Sequence, residues 1–198
     1  LEVLRGPLED GKISISITRV SASLTYPCEF MLIASMNPCP CGYYGSKEKE
    51  CTCSEQAIQR YRNKISGPLL DRIDIHMEVE GVKYEKLKDE KMGESSSKIK
   101  ERVNRAREIQ KLRYQKYGIF SNSELTPKLM DIYCKLDIPS KTILEKAFSQ
   151  LGLSARAYGR ILKVARTIAD LAGCEEIQKE HIAEAIQYRS LDRKYWNR

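Results

Sequence analysis

What the chain lacks narrows it first. No run among its 198 residues approaches the roughly 18 consecutive apolar residues of a membrane-spanning helix, and the longest apolar stretch, Phe30 to Met36, has the length of a buried strand. No membrane partner is therefore expected. The opening LEVLRGPLEDG is neither a signal peptide nor a transit peptide. With Pro7 and Gly11 as breakers it reads as the end of a helix, and the missing initiator Met suits a cut through a longer protein. No G-x-x-x-x-G-K-[ST] loop occurs anywhere, and no acidic pair follows a hydrophobic strand. There are two histidines, His76 and His181, neither with a metal-type partner nearby in sequence.

Cysteine is not scarce, but its seven copies are an odd number without an export signal. That pattern argues against a disulfide scaffold and for a reducing, cytoplasmic compartment. An apolar content of 41% is enough for a folded core. The balance of 34 basic against 27 acidic residues, a net +7, points mildly to an anionic partner because the charge is spread along the chain.

The periodicity changes along the chain. Lys12 to Ile17 alternates as KISISI, and Arg19 to Thr25 can return as the second strand of a hairpin. Phe30 to Met36 is apolar on both faces, as expected of a central strand in a covered parallel sheet. Ser54 is placed to cap a short helix through Ser66, which Gly67-Pro68 breaks. Ile73 to Val79 alternates as another strand. Residues 82–97, polar and rich in lysine and serine, make the best linker. Beyond it Ile99, Val103, Ala106, Ile109 and Leu112 share one helical face as far as Gly118. Helices are expected over about 127–135, 140–151, Ala155 to Ala172 and Lys179 to Tyr188. The predicted fold is α/β followed by all-α, with residues 1–81 as the α/β part and 98–198 as the helical part.

Three positions carry candidate chemistry. Asn37 follows the apolar strand just before Pro38. Ligands of open α/β sheets bind beyond the carboxyl ends of strands, although a turn Asn before Pro is also common. Arg72 lies in GPLLDRIDIH at an element boundary. Its guanidinium could reach a neighbouring subunit's phosphoryl group, or simply pair with Asp71 or Asp74. Arg156 opens the first turn of a long helix, followed by Arg160, Lys163 and Arg166. A cation there opposes the macrodipole, so either an anion compensates it or the series is an exposed basic face.

A fourth constellation is Cys39, Cys41, Cys51 and Cys53, spaced C-x-C-x9-C-x-C. Four thiolates in two close pairs suit tetrahedral zinc, and the alternative is four free thiols in a loop. A bound zinc would be structural. Cys28, Cys134 and Cys174 stand alone as ordinary semi-buried residues. The helix from Ile99 to Tyr117 carries many cations, which a solvated helix surface explains.

Taken together, LEVLRGPLEDGKISI, SLTYPCEFMLIASMNPCPCGYYG, CTCSEQAIQRYRNKISGPLLDRIDIH and LSARAYGRILKVARTIADLAG closely resemble the magnesium-chelatase-like AAA+ ATPases of the YifB/ComM type. The resemblance spans nearly the whole chain and is weakest over about 82–125. It implies the C-terminal part of an AAA+ P-loop NTPase core followed by a helical lid. By matching position, Asn37 resembles the sensor-1 residue and Arg72 the arginine finger acting in trans. Arg156 resembles the sensor-2 arginine, and Lys12 to Thr25 the pre-sensor hairpin of related ring motors, which makes Lys12 and Arg19 candidates for DNA contact. The implied whole is a homo-oligomeric, hexameric ring driven by ATP with Mg2+ and acting on DNA. A chain without the phosphate loop is expected to be inactive by itself. Two other expectations stay open: an ATP-driven remodeller of a metal-chelatase or other protein complex, and a non-enzymatic zinc and nucleic-acid binding module.

Overall fold

The computed structural model describes residues 2–10, 12–17, 22–79, 81 and 93–189. They divide into two units, one holding the residues up to Ile73 with Val79 and Gly81, the other Asp74–Glu78 with 93–189.

In the first unit a 3-10 turn, Glu2–Leu4, runs into α1 (Arg5–Asp10). Pro7, a breaker on sequence grounds, sits in the first turn of α1, where its missing N–H has no intrahelical partner to lose. The expected hairpin is present. β1 (Lys12–Ile17) pairs antiparallel with β2 (Ala22–Pro27), in register from Lys12↔Pro27 to Ile17↔Ala22. Its return strand starts later than expected, and Arg19 lies outside the described residues.

Among the described residues the expected central sheet is not seen. Phe30 to Met36 is not a strand, and Met31 and Ile33 are 80% and 86% exposed. Ile73 to Val79 is not a strand either. The physical reason is common to both: a strand exists through hydrogen bonds to a neighbour, and among the described residues the β1–β2 hairpin is the only sheet.

α2 (Glu55–Arg62) begins where expected, with the Ser54 hydroxyl accepting from the Ala57 N–H at 3.3 Å. It stops at Arg62 and not at Ser66. Ser66 instead caps α3 (Gly67–Leu70), its hydroxyl accepting from the Leu69 N–H at 3.3 Å. Gly67-Pro68 therefore starts a helical turn as well as ending one, since Pro is tolerated at the first helical positions. The Ser66 hydroxyl also donates to Glu2 at 2.9 Å, and that bond pulls the Glu2 carboxyl down.

The second unit is helical, as expected. It holds α4 (Ser96–Tyr114), α5 (Pro127–Tyr133), α6 (Ile138–Leu151), α7 (Ala155–Leu171) and α8 (Lys179–Gln187). α7 is the central element, packing on α4, α5 and α8. Its buried residues Ala157, Ile161, Leu162, Ala165 and Ala169 fall on one face at helical spacing. The alanines let neighbours approach, and Leu125, Leu129, Leu144, Ile177 and Ile182 fill the core around them. α4 turns a different face inward from the one its sequence suggests. Ala106, Gln110 and Tyr114 are buried, whereas Ile99, Val103, Ile109 and Leu112 are exposed.

Polar groups pin this core. The fully buried Asp170 carboxylate receives both guanidinium nitrogens of Arg113, at 3.0 and 2.6 Å, the Arg166 Nε at 3.1 Å and the Asn122 amide at 2.9 Å. Tyr114 donates to Asn122 at 2.7 Å and completes the network. Among the described residues no helix is long and apolar enough to cross a membrane.

Candidate functional site

The four clustered cysteines come together. All four sulfurs lie within 4.8 Å of one another, with Cys39–Cys41 at 3.3 Å, Cys39–Cys51 at 3.6 Å and Cys41–Cys51 at 3.5 Å. Four sulfurs at 2.3 Å from a tetrahedral zinc would be separated by about 3.8 Å, so the set is already close to the size that ion requires. The four are free thiols in a loop, as the alternative had it, but gathered into a possible metal-binding group.

Local structure explains the convergence. The Cys39 carbonyl accepts from the Gly42 N–H at 3.0 Å, closing a tight turn that faces both sulfurs of the first pair the same way. Gly42 has φ +84°, a conformation other residues adopt only with strain. The second pair precedes Ser54, so it sits at the positive end of α2, which favours thiolates.

The sulfurs differ in acidity. A hydrogen bond from the Tyr43 backbone is the main influence that lowers Cys41 to about 6. Cys51 accepts from the Cys53 backbone, which lowers it, but burial and the neighbouring Cys41 and Cys39 sulfurs outweigh that and push it to about 12. Cys53 is likewise raised. One thiolate thus discourages the next, which is the situation a divalent cation relieves, because binding requires and stabilises deprotonated sulfur. Among the described residues this is the one group of three or more potential metal ligands. It offers Mg2+ no oxygen set.

Asn37 lies two residues before the first sulfur. It is exposed and follows an irregular segment instead of a strand, so the strand end expected to present it is absent among the described residues. Its amide lies 3.8 Å from where a side chain on Gly42 would begin, which ties its surroundings to the cysteine turn.

Arg72 is 7% exposed and belongs to the same unit. Its carboxylate partner is Glu9 of α1, neither Asp71 nor Asp74 in the contacts described. The Pro68 carbonyl accepts from the other terminal nitrogen at 2.6 Å, and its buried Nε makes no hydrogen bond. Glu9, 63 positions away, is the residue that sequence reasoning missed here.

Arg156 lies in the second unit, exposed in the first turn of α7, with Ser154 as the cap at 3.2 Å from the Ala157 N–H. The three cations after it do not form an exposed basic face. Arg160 binds Asp74 at 2.5 Å, and Lys163 donates to the Ser123 carbonyl at 2.7 Å. Arg166 is buried against Asp170 and the carbonyls of Cys174 and Glu175. Burial pulls the Lys163 ammonium down. Of the four, Arg156 alone is left exposed. The Lys12 backbone is placed in β1, and its side chain lies outside the description.

Two family models match in tandem: magnesium chelatase, subunit ChlI, over residues 1–87, and magnesium chelatase, subunit ChlI C-terminal, over residues 93–189. The chain is 44% identical over 194 residues to the competence protein ComM of Haemophilus influenzae, covering 98% of the chain and 36% of that protein. It is 43% identical over 197 residues to the YifB protein of Escherichia coli, covering 98% and 37%. A protein of Mycobacterium tuberculosis is 34% identical over 189 residues, covering 96% and 37%. The chain spans little more than a third of the length of these relatives.

Proposed function

The chain belongs to the magnesium-chelatase-like family that includes ComM and YifB, and on that premise we propose that it is the C-terminal part of an AAA+ ATPase module. In this reading the whole protein forms a hexameric ring in the cytoplasm and uses ATP to move on DNA. The observation that carries it is similarity over nearly the entire chain to ComM, whose name ties that protein to competence.

The reading assigns work to three side chains. Arg72 supplies positive charge to the phosphoryl group transferred in the neighbouring subunit, where an arginine finger contributes by electrostatic stabilisation. Arg156 holds the phosphates of the nucleotide bound by its own subunit. The exposed amide of Asn37 orients the attacking water. Support for Arg156 comes from its exposed place in the first turn of α7, matching the position of the family's sensor-2 arginine. Arg72 needs one further step. It must exchange Glu9 for a phosphate, so its present seat is a resting position.

Zinc fits the four cysteines in ligand type, pairing and spacing, and we assign it to Cys39, Cys41, Cys51 and Cys53. Its role would be structural, fixing the turn that follows Asn37. The ATP substrate and its Mg2+ require a phosphate cradle that this chain does not supply. Its sequence has no P-loop, so the chain by itself is expected to be inactive.

The test uses the full-length parent. ATP turnover should rise when DNA is added. Arg72→Ala should lower kcat roughly a thousand-fold or more, with Arg72→Lys failing to restore it. Full activity in Arg72→Ala would remove that residue from the mechanism. Turnover indifferent to DNA would favour the second reading, remodelling of a chelatase or other protein complex, which the family's magnesium chelatase members suggest.

A further inference from the structure

Next to the cysteine cluster, three tyrosines each carry a cation on the ring. Lys49 Nζ is 4.5 Å from the centre of Tyr43, the Arg62 guanidinium 4.7 Å from Tyr44, and Lys64 Nζ 5.6 Å from Tyr61. The pairs interlock along the sequence, because Tyr43 adjoins Tyr44 and Tyr61 adjoins Arg62. Tyr43 and Tyr44 remain 39% and 38% exposed. An aromatic ring left this open on a folded surface carries area that nothing in its own unit covers.

Both ends of the strip are anchored. Tyr43 comes two residues after Cys41 and starts a turn in which its carbonyl accepts from the Ser46 N–H at 3.0 Å, with Gly45 at φ +80°. α2, which carries Tyr61 and Arg62, starts two residues after Cys53. The four sulfurs therefore bring the tyrosine turn and the start of the helix close together, and the zinc proposed for them would tie the two into one piece.

We propose that Tyr43, Tyr44 and Tyr61, with Lys49, Arg62 and Lys64, form a binding strip for single-stranded nucleic acid. A cation against one face of a ring leaves the other for a base, and the same cation meets the adjoining phosphate. Stacking on aromatic rings with cations along the backbone is how unpaired strands are held without sequence preference. Glu48, Glu50 and Glu55 lie in the same segment and weaken a purely electrostatic hold on duplex. Stacking, which needs unpaired bases, is accordingly the larger contribution. The strip rests on the DNA-acting reading above but uses none of the residues of the β1–β2 hairpin, and neither Arg72 nor Arg156.

The experiment measures fluorescence anisotropy of a labelled oligothymidylate of about 20 nucleotides with the 198-residue chain purified without chelator. Tyr43→Ala combined with Tyr44→Ala should weaken binding roughly ten-fold or more, while Tyr43→Phe with Tyr44→Phe stays within about two-fold of the unsubstituted chain. A duplex of the same length should bind more weakly and ignore the substitutions. Circular dichroism matching the unsubstituted chain guards against misfolding, and Lys49→Ala, distant from any core position, should give an intermediate loss. Unchanged binding in the double Ala variant, or equal losses for Ala and Phe, overturns the strip while leaving the DNA partner in place. No binding by the unsubstituted chain at low salt also overturns the strip, whereas the DNA-acting reading is decided separately by whether DNA raises ATP turnover of the full-length parent.

Discussion

The two units reach order by different means. The helical unit buries a continuous apolar face around α7 and seals it with a carboxylate that two arginines and an asparagine share. The first unit buries far less, with Cys39, Ile58 and Leu69 as its buried hydrophobic residues among those described, and leaves Met31 and Ile33 in solvent. What it has instead are four converging sulfurs and two polar clamps, Glu2 to Ser66 and Glu9 to Arg72. The lesson is that a unit short of apolar burial can be fixed by a few strong local ties, and then each tie matters more than any one core residue.

The sharpest way to break that contrast is to take away the zinc proposed for the four cysteines. Chelation, or Cys39→Ser, should cost the first unit on the order of 10 kcal/mol of binding-coupled order. Proteolysis should then open the segment between Asn37 and α2, while far-UV circular dichroism keeps the signal of α4 to α8. Equal loss of helicity in both units would show that they do not depend on separate ties.

The complementary blow falls on the second unit. Asp170→Ala leaves Arg113 and Arg166 facing each other without their carboxylate and should destabilise that unit by roughly 3–5 kcal/mol. Urea unfolding followed by circular dichroism would measure it. The reactivity of the four clustered thiols should not change, and if it does, the network reaches beyond its own unit.

The smallest effect is alkaline. Burial pushes the Cys134 thiol from 9.0 up to about 11. A folded group with a raised value keeps its proton longer than the unfolded chain does. Its contribution to stability is therefore whole below pH 9 and falls by about 2–3 kcal/mol as pH rises through 11. Urea midpoints measured across that window should lose this part of their slope in Cys134→Ala. An unaltered slope would mean that the thiol ionises alike in both states.

Much of the helical unit was legible, because α5 to α8 depend on local signals, and the structure adds Asp137 as the cap that starts α6 ahead of the expected residue 140, Gly152 as its stop and Ser154 as the cap of α7. The face of α4 was not, since Gln110 and Tyr114 are buried through partners twelve and eight residues on, at Asn122. The strands expected at Phe30 to Met36 and Ile73 to Val79 failed for a related reason. Alternation and apolarity specify a strand only together with neighbours, and those neighbours are not in the same stretch of chain. At the candidate site, the cysteine set could be read from its pairing. The Glu9 partner of Arg72 could not, because no spacing rule connects residues 63 positions apart.

The arginines that the fold takes inward also change how the molecule looks to a polyanion. Arg72, Arg113, Arg160 and Arg166 each already face a carboxylate of their own chain. These pairs add nothing to the net charge of +7, and they take four of the 34 basic side chains out of the set that can displace counterions from a phosphate backbone. The ionic-strength dependence of any nucleic-acid complex should therefore report surface cations outside these four, and a stacking contribution would stay visible at salt concentrations that would dissolve a purely coulombic complex.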